Sequence, residues 1–227
     1  MLDGSYINET TLRPPRGESF PVSRPTPRRG YHHGDLPAVL VREGVALLAE
    51  TGVAGFSVAK VAARAGVSSA APYRHFADRD ALLAACAAAI LADLTGVLAR
   101  AAEQAGPDPV ERLAATAGAY ARYVLGHRAG IDLIYSHDFG APYRETVHER
   151  SRRFMDVLMA LAADALPAGT PWADVAEFVY VHVSAAHGYA MLLVNGTRPP
   201  QDVEAHAARA AAAARDHLTG HLARLRG

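Results

Sequence analysis

Cysteine is nearly missing from this sequence, and so are secretion and membrane signals. Cys86 is the one cysteine in 227 residues, so an intrachain disulfide is excluded and the chain suits a reducing cytosol. Within an alanine-rich segment, Cys86 is expected to be a small core residue rather than a nucleophile. No cationic stretch followed by an apolar one opens the chain, and no uninterrupted apolar run reaches 18 residues. The sequence therefore predicts a soluble, intracellular protein.

Patterns that carry enzymatic chemistry are also scarce. There is no glycine-rich phosphate loop, no paired-carboxylate motif and no Ser-His-Asp spacing. His182 and His187 lie five residues apart, which places them about 140° apart around a helix. With no HxxxH pattern and no cysteine partner, neither a metal site nor a cofactor is predicted. A helical enzyme that uses His187 or His137 as an acid–base group stays open as an alternative, although no second catalytic group accompanies either.

Charge is distributed unevenly although the formal net charge is zero. Residues 24–79 contain eight Lys/Arg and four Asp/Glu, a surplus of four positive charges, so the remainder carries a surplus of four negative charges. A basic N-terminal region followed by an acidic remainder is typical of proteins that bind a polyanion. Charge alone does not decide the partner.

Glycine and proline divide the chain into helical segments. Residues 1–30 are rich in proline and lack an apolar period, so they are interpreted as a flexible arm. Beyond them, apolar residues recur at helical spacing and predict an all-α fold of about nine helices without strands. The predicted helices cover 35–52, 58–65, 69–76, 78–104, 108–127, 131–136, 143–166, 172–195 and 201–225.

Residues 56–76, FSVAKVAARAGVSSAAPYRHF, have the pattern of a helix-turn-helix. Such a motif needs a small residue where two helices cross, here Ala62, and a residue that tolerates positive φ in the turn, here Gly66. Ser57 is suited to cap the first helix, and Ser68 or Ser69 the second. The second helix of this motif enters the DNA major groove in known regulators.

The segment resembles the TetR family of bacterial transcriptional regulators. The resemblance rests on VAARAGVS at 61–68, on YRHF at 73–76 and on the charged turn and leucines of DRDALL at 78–83. It implies a DNA-binding domain over 31–79 and a helical ligand-binding and dimerisation domain over 80–227. The lead-in YHHGDL at 31–36 and the pair His187-Gly188 point to the subgroup with a WHG-type C-terminal domain, although Val183 stands where that subgroup has tryptophan.

The resemblance also implies which residues touch operator DNA. Arg74 is expected to bind a guanine, and Ala70 and Ala71 to meet thymine methyl groups. Phosphate contacts are expected from side chains in the motif and in the arm. The complete predicted DNA-binding set is Ser57, Ser68, Ser69, Ala70, Ala71, Tyr73, Arg74, His75, Arg79, Arg28, Arg29, His32 and His33. Family members often have leucine at the position of Pro72. Since proline lacks an N–H, the recognition helix is predicted to begin at Ser69 or Ala70.

The C-terminal part is implied to hold a small-molecule cavity and the dimer interface. The candidate ligand-binding residues are Tyr120, Tyr123, His127, Tyr135, Phe139, Met155, Met159, Phe178, His182, His187 and Met191. In the family the last two helices form the dimer interface, here about 172–195 and 201–225. The alanine-rich stretch 205–214, with Val203, Leu218 and Leu222, would suit it; alternatively, these helices close the core of the monomer.

The implied function is a dimeric one-component regulator in the bacterial cytoplasm. It would act as a repressor that binds a palindromic double-stranded operator and is released by an unknown small-molecule effector. An activator of the same family, and a helical protein-binding module without a ligand, are the remaining alternatives.

Overall fold

Helices account for the regular secondary structure of the residues that this computed structural model describes, which are 35–127, 131, 133–134, 139–196 and 202–226. That part of the chain contains seven α-helices and no strand. The helices are α1 (Leu36–Gly55), α2 (Val58–Arg64), α3 (Arg79–Gln104), α4 (Pro109–His127), α5 (Ala141–Ala165), α6 (Trp172–Val194) and α7 (Val203–Arg226). The all-α prediction is confirmed, but the expected number of about nine helices is too high for the described residues. Residues 131, 133 and 134, inside the predicted short helix, are helical.

The first helix shows both a correct and an incorrect prediction about its ends. Gly52, predicted as its end, has φ 65° and breaks the helical geometry, yet one further turn continues to Gly55. Pro37 lies in the first turn, where its missing N–H costs no hydrogen bond. Asp35 precedes the helix, but its side chain forms no capping hydrogen bond.

The long helix α3 joins the N-terminal helices to the rest of the fold. Its Asp78 cap accepts a hydrogen bond from the backbone N–H of Ala81 at 2.8 Å, which fixes where the helix begins. A row of buried residues, including Leu83, Ile90 and Leu94, faces α1, α4 and α5. By length and composition α3 could cross a membrane, but half of its most apolar 18-residue window is buried inside the protein. It is therefore a core helix, against which α1, α4 and α5 pack.

The close approach of α7 to α4 depends on small residues. A Cβ added to Gly118 of α4 would lie 2.8 Å from the carbonyl oxygen of Ala207 and 3.2 Å from the Cβ of Ala211. Ala207 and Leu218 are almost fully buried within the monomer. The alanine-rich face and Leu218 therefore pack against the protein's own core, and assigning Leu218 to the dimer surface is wrong.

Candidate functional site

The turn between α2 and the following segment is fixed by local hydrogen bonds. Ser57 caps α2, since its hydroxyl oxygen accepts from the backbone N–H of Lys60 at 3.3 Å. Gly66 has φ 71°, the left-handed conformation that glycine adopts without strain. The N–H of Val67 donates to the carbonyl of Ala62 at 3.0 Å and that of Gly66 donates to Ala63 at 3.1 Å. These two bonds form a Schellman motif, so α2 must end here.

The predicted second helix of the motif is shorter than expected. Instead of a helix over 69–76, the structure has a single 3₁₀ turn, Pro72–Arg74, and its N-cap side chain forms no capping bond. Backbone bonds of the i to i+3 type join Ala71 to Ser68 and Arg74 to Ala71. Pro72 lies at the start of this turn, where its missing N–H costs no internal bond, and its carbonyl oxygen accepts from the N–H groups of His75 and Phe76 at 2.9 Å each.

The residues around this turn present a polar surface. Ser68, Ser69, Ala70, Tyr73, Arg74 and His75 are exposed, and Ala71 is half-buried. Pro72 is buried and Phe76 packs against the core, so the turn is anchored from beneath. Tyr73 exposes 55% of its surface, which is unusual for a large aromatic side chain in a folded domain. The structure thus gathers the predicted reading residues on one short exposed segment, although their contacts with DNA stay predictions.

The arginines of the N-terminal helices differ in how far they are already engaged. Arg64 pairs with Glu50 at 2.8 Å and with Glu43 at 3.5 Å. The hydrogen bond to Arg64 is the main cause that holds the pKa of Glu50 below its ordinary value. The side chain of Arg74, in contrast, has no hydrogen-bonding or ionic partner among the described residues. It is the arginine of residues 35–79 that is available to bind another molecule.

Arg79 has an intramolecular role that its sequence position did not indicate. Its guanidinium donates to the carbonyl oxygen of Val53 at 2.8 Å and to that of Phe56 at 3.4 Å. The guanidinium carbon also lies 5.8 Å from the centre of the Phe56 ring. Arg79 therefore fastens the start of α3 to the end of α1. The phosphate contact predicted for Arg79 stays a prediction and would share the side chain with these bonds.

A hydrogen bond connects the start of α3 with the C-terminal helices. The Tyr143 hydroxyl at the beginning of α5 donates to a carboxylate oxygen of Asp78 at 2.8 Å. The pKa of Asp78 is lowered, first by the backbone N–H of Ala81 and then by this hydroxyl. This bond joins the start of α5 to the N-terminal cap of α3. Sequence patterns could not reveal this contact, because the two residues are 65 positions apart.

Five predicted contact residues lie outside the described part of the chain. They are Arg28, Arg29, His32 and His33 of the arm, and Tyr135 of the predicted ligand site. His137, named for the enzymatic alternative, also lies there.

Within the described residues, several predicted ligand-binding residues line different cavities. Met155 and Met159 line a groove between α5 and α6, and Tyr123 lines one beside α1. Phe178 lines a cavity near the α5–α6 loop. Phe139 is buried in the core, and Met191 packs against it in part. A ligand site that combines these side chains stays a prediction.

Several predicted polar residues form pairs with other side chains. The Tyr120 hydroxyl lies 2.9 Å from Nδ1 of His187, and His127 stacks on Tyr123 at a centroid distance of 4.3 Å.

Within the described residues, no group of three or more His, Cys, Asp or Glu side chains is arranged to hold a metal ion. The side chain of Cys86 is buried, which raises the pKa of its thiol to about 12.

One cavity between α6 and α7 has an apolar wall with polar groups at defined positions. Its volume is about 270 Å³, and Ala117 of α4 belongs to its lining. The lining residues are Ala117, His182, Ala185, Ala186, Tyr189, Arg209, Ala210, Ala213, Ala214 and His217. The five alanines of α6 and α7 leave the space that larger side chains would fill. Of the predicted ligand residues, His182 alone lines this cavity.

His182 is the buried polar residue of that cavity. It exposes 4% of its surface, and its Nε2 lies 2.9 Å from the hydroxyl oxygen of Thr116 on α4. Burial lowers the pKa of His182 to about 4, with a smaller contribution from nearby His217. The imidazole is therefore neutral at physiological pH.

Comparison with known proteins relates both parts of the chain to one family. The family model described as bacterial regulatory proteins, tetR family, matches residues 40–86. A model described as a tetracyclin repressor-like C-terminal domain matches residues 113–214. Neither description names the WHG-type subgroup, which stays a prediction.

Individual relatives agree with these matches. The chain is 33% identical over 132 residues to the class A tetracycline repressor protein from transposon 1721 of Escherichia coli, covering 58% of this chain and 59% of that protein. It is 38% identical over 76 residues to the HTH-type transcriptional regulator BetI of Stenotrophomonas maltophilia, covering 34% of this chain and 39% of that protein. The matches thus span less than two thirds of these curated relatives. A solved structure of a protein of unknown function from Rhodococcus sp. RHA1 is 32% identical, with TM-score 0.65, covering 82% of this chain and 97% of that one.

Proposed function

The chain belongs to the TetR family of bacterial regulatory proteins, whose members are transcriptional regulators rather than enzymes. On that premise we propose that it is a dimeric cytoplasmic repressor, which a small molecule releases from a palindromic operator. The observation that carries this proposal is the exposed segment 68–75 with unpaired Arg74 at its centre. The repressor role is supported by the relative from transposon 1721, which is named a repressor.

The geometry of the segment supports a role in reading DNA. Pro72 and Phe76 anchor the turn, so Tyr73, Arg74 and His75 project from a rigid base. An arginine binds a guanine through two parallel hydrogen bonds to O6 and N7, which no other base offers in the major groove. The exposed serines and Tyr73 donate to phosphates and set the register of the protein on the duplex.

Dimerisation is supported by an unpartnered stripe on α6. Val181, Gly188 and Leu192 follow helical spacing on one side, and Leu192 exposes 78% of its surface. A second copy that covers this stripe removes apolar surface from water and places two reading segments on one duplex. Successive major grooves lie about 34–36 Å apart, and this distance sets the spacing that the dimer must achieve.

Release by an effector follows from the contact between α5 and α3. If an occupant of the C-terminal helices displaces α5, the Tyr143–Asp78 bond transmits the displacement to the start of α3, which Arg79 fastens to α1. The distance between the two reading segments then no longer matches the operator. The coupling free energy in such systems is typically about 1–3 kcal/mol, and it lowers operator affinity and effector affinity by the same factor.

The experiment that tests the proposal selects binding sites from random duplex DNA with the full chain at physiological salt. Mass spectrometry of the same sample establishes that no small molecule is already bound. The expected result is an enriched palindrome with half-site centres one helical turn, or a multiple of it, apart. A ligand-free, folded protein that enriches no sequence would refute the proposal.

A further inference from the structure

We propose that the cavity between α6 and α7 binds the effector, and that this effector is a compact, largely apolar molecule that donates a hydrogen bond to Nδ1 of His182. The inference rests on the proposed function only in calling the occupant an effector, because the binding chemistry follows from the cavity itself. It assigns a site, an anchoring atom and a ligand class.

The protonation of His182 follows from its neighbour on α4. The Thr116 hydroxyl donates its single hydrogen to the carbonyl oxygen of Leu113 at 2.7 Å, so its oxygen can only accept from His182. If the hydroxyl instead donated to the imidazole, the oxygen atoms of Thr116 and of the Leu113 carbonyl would lie 2.7 Å apart with no hydrogen between them. Nε2 of His182 therefore carries the proton, and Nδ1 carries a lone pair.

That lone pair has no partner among the described residues. His182 is almost fully buried and lines the cavity, so bulk water does not replace the missing bond freely. A buried acceptor without a donor is costly, and native proteins rarely leave one unsatisfied. A ligand with a hydroxyl or N–H group supplies the donor, whereas a ligand of the same shape without one leaves Nδ1 unsatisfied.

Size and charge narrow the ligand class further. The cavity of about 270 Å³ exceeds the 150 Å³ that holds benzene in an engineered apolar cavity, and lies below the usual range for drug-sized ligands. A molecule of about one or two rings fits this volume. None of the ten lining residues is acidic, and Arg209 has no ionic partner among the described residues, so a neutral or anionic ligand is favoured over a cation.

The first experiment is a ¹⁵N NMR spectrum of the full chain labelled at histidine. The expected spectrum shows His182 neutral between pH 6 and pH 8, with the proton on Nε2 and none on Nδ1. A proton on Nδ1 would overturn the proposal, because the cavity would then offer a donor instead of an acceptor. His182→Asn and His182→Gln identify the resonances.

The second experiment titrates the full chain with phenol and, separately, with anisole by calorimetry. The two probes are similar in shape, but phenol alone donates a hydrogen bond. Phenol is expected to bind saturably and about two- to tenfold more tightly than anisole, the range for one net hydrogen bond. Equal affinities, or no saturable binding of phenol, would overturn the proposal.

Three variants locate the effect. His182→Gln retains a donor toward Thr116 but has no acceptor at the Nδ1 position, so the preference for phenol should vanish. His182→Asn retains an acceptor near Nδ1 and should keep the preference. His148→Gln, at an exposed position of α5 outside the cavity, is the control and should bind both probes as the unmodified protein does.

The remaining occupant to test is a second copy of the chain. Ala213 is exposed at the cavity, and Ala213→Leu should abolish phenol binding while the sedimentation mass stays unchanged. A variant that dissociates a dimer, in a protein that never binds phenol, would assign the cavity to the partner and contradict the proposal. Phenol binding is measured without DNA, so its failure is distinguishable from failure of the operator selection.

Discussion

Replacement of Arg74 by alanine should remove sequence discrimination at one position of the operator. The guanidinium of Arg74 is exposed and has no partner among the described residues, so the substitution should leave the packing of the N-terminal helices α1 and α2 unchanged. A two-bond arginine–guanine contact contributes about 1–3 kcal/mol of discrimination, which corresponds to a loss of roughly 5- to 150-fold in affinity for the selected site.

Arg64 provides the matched control for this measurement. Its guanidinium already pairs with Glu43 and Glu50, so Arg64→Ala should change affinity for the selected site much less than Arg74→Ala. Fluorescence anisotropy with the selected duplex, and with duplexes changed at single base pairs, measures both variants. Thermal unfolding confirms that each one is folded.

The salt dependence separates base reading from phosphate binding. If Arg74 binds a base, Arg74→Ala should tolerate the other three base pairs at one position while non-specific affinity changes little. If it binds a phosphate, all sites weaken together and the slope of log K against log salt falls by about one. Wild-type affinity and specificity in Arg74→Ala would refute the assignment of segment 68–75 as the reading surface.

Three further predictions concern packing, pH and the contact between α5 and α3. Gly118→Ala should lower the melting temperature by roughly 2–8 °C, because the added Cβ would lie 2.8 Å from a carbonyl oxygen of α7. Gly126→Ala, with open space around the added Cβ, should leave the melting temperature unchanged, and equal effects of the two substitutions would contradict the close approach of α7 to α4. The free energy of unfolding should fall as the pH drops from 6.5 to about 4, because His182 becomes protonated in the unfolded chain but stays neutral in the folded one. His182→Gln should remove this part of the pH dependence, and an unchanged pH profile in this variant would contradict a buried neutral imidazole. Tyr143→Phe should raise the pKa of Asp78 toward its ordinary value in an NMR titration, so acidification should remove the stability that this carboxylate provides at a higher pH than in the unmodified protein. An unchanged pKa of Asp78 would mean that the bond does not form in solution.

The sequence predicted those features that depend on neighbouring residues. Ser57, Gly66 and Asp78 cap or end helices through bonds to positions three residues away, so their spacing alone locates the ends of α2 and the start of α3. Pro72 shows the limit of this reasoning. The sequence places it within the first turn of a helix, whereas the structure has a 3₁₀ turn, Pro72–Arg74.

Apart from His182, the candidate ligand site could not be predicted from the sequence, because it depends on distant pairs. The Thr116–His182 bond joins residues 66 positions apart. The cavity arises from alanines that, in a sequence, have the same pattern as ordinary core positions. Large aromatic and methionine residues were expected to line it, but most of them fill other parts of the core or form pairs.

The central claim is that two copies of this chain read one palindromic duplex through segment 68–75. The most direct test measures the mass of the complex between the full chain and the selected palindrome by sedimentation, alongside a duplex that contains a single half-site. The account predicts two chains on the palindrome, with affinity well above that for the half-site. One chain per palindrome, or equal affinity for the two duplexes, would contradict it.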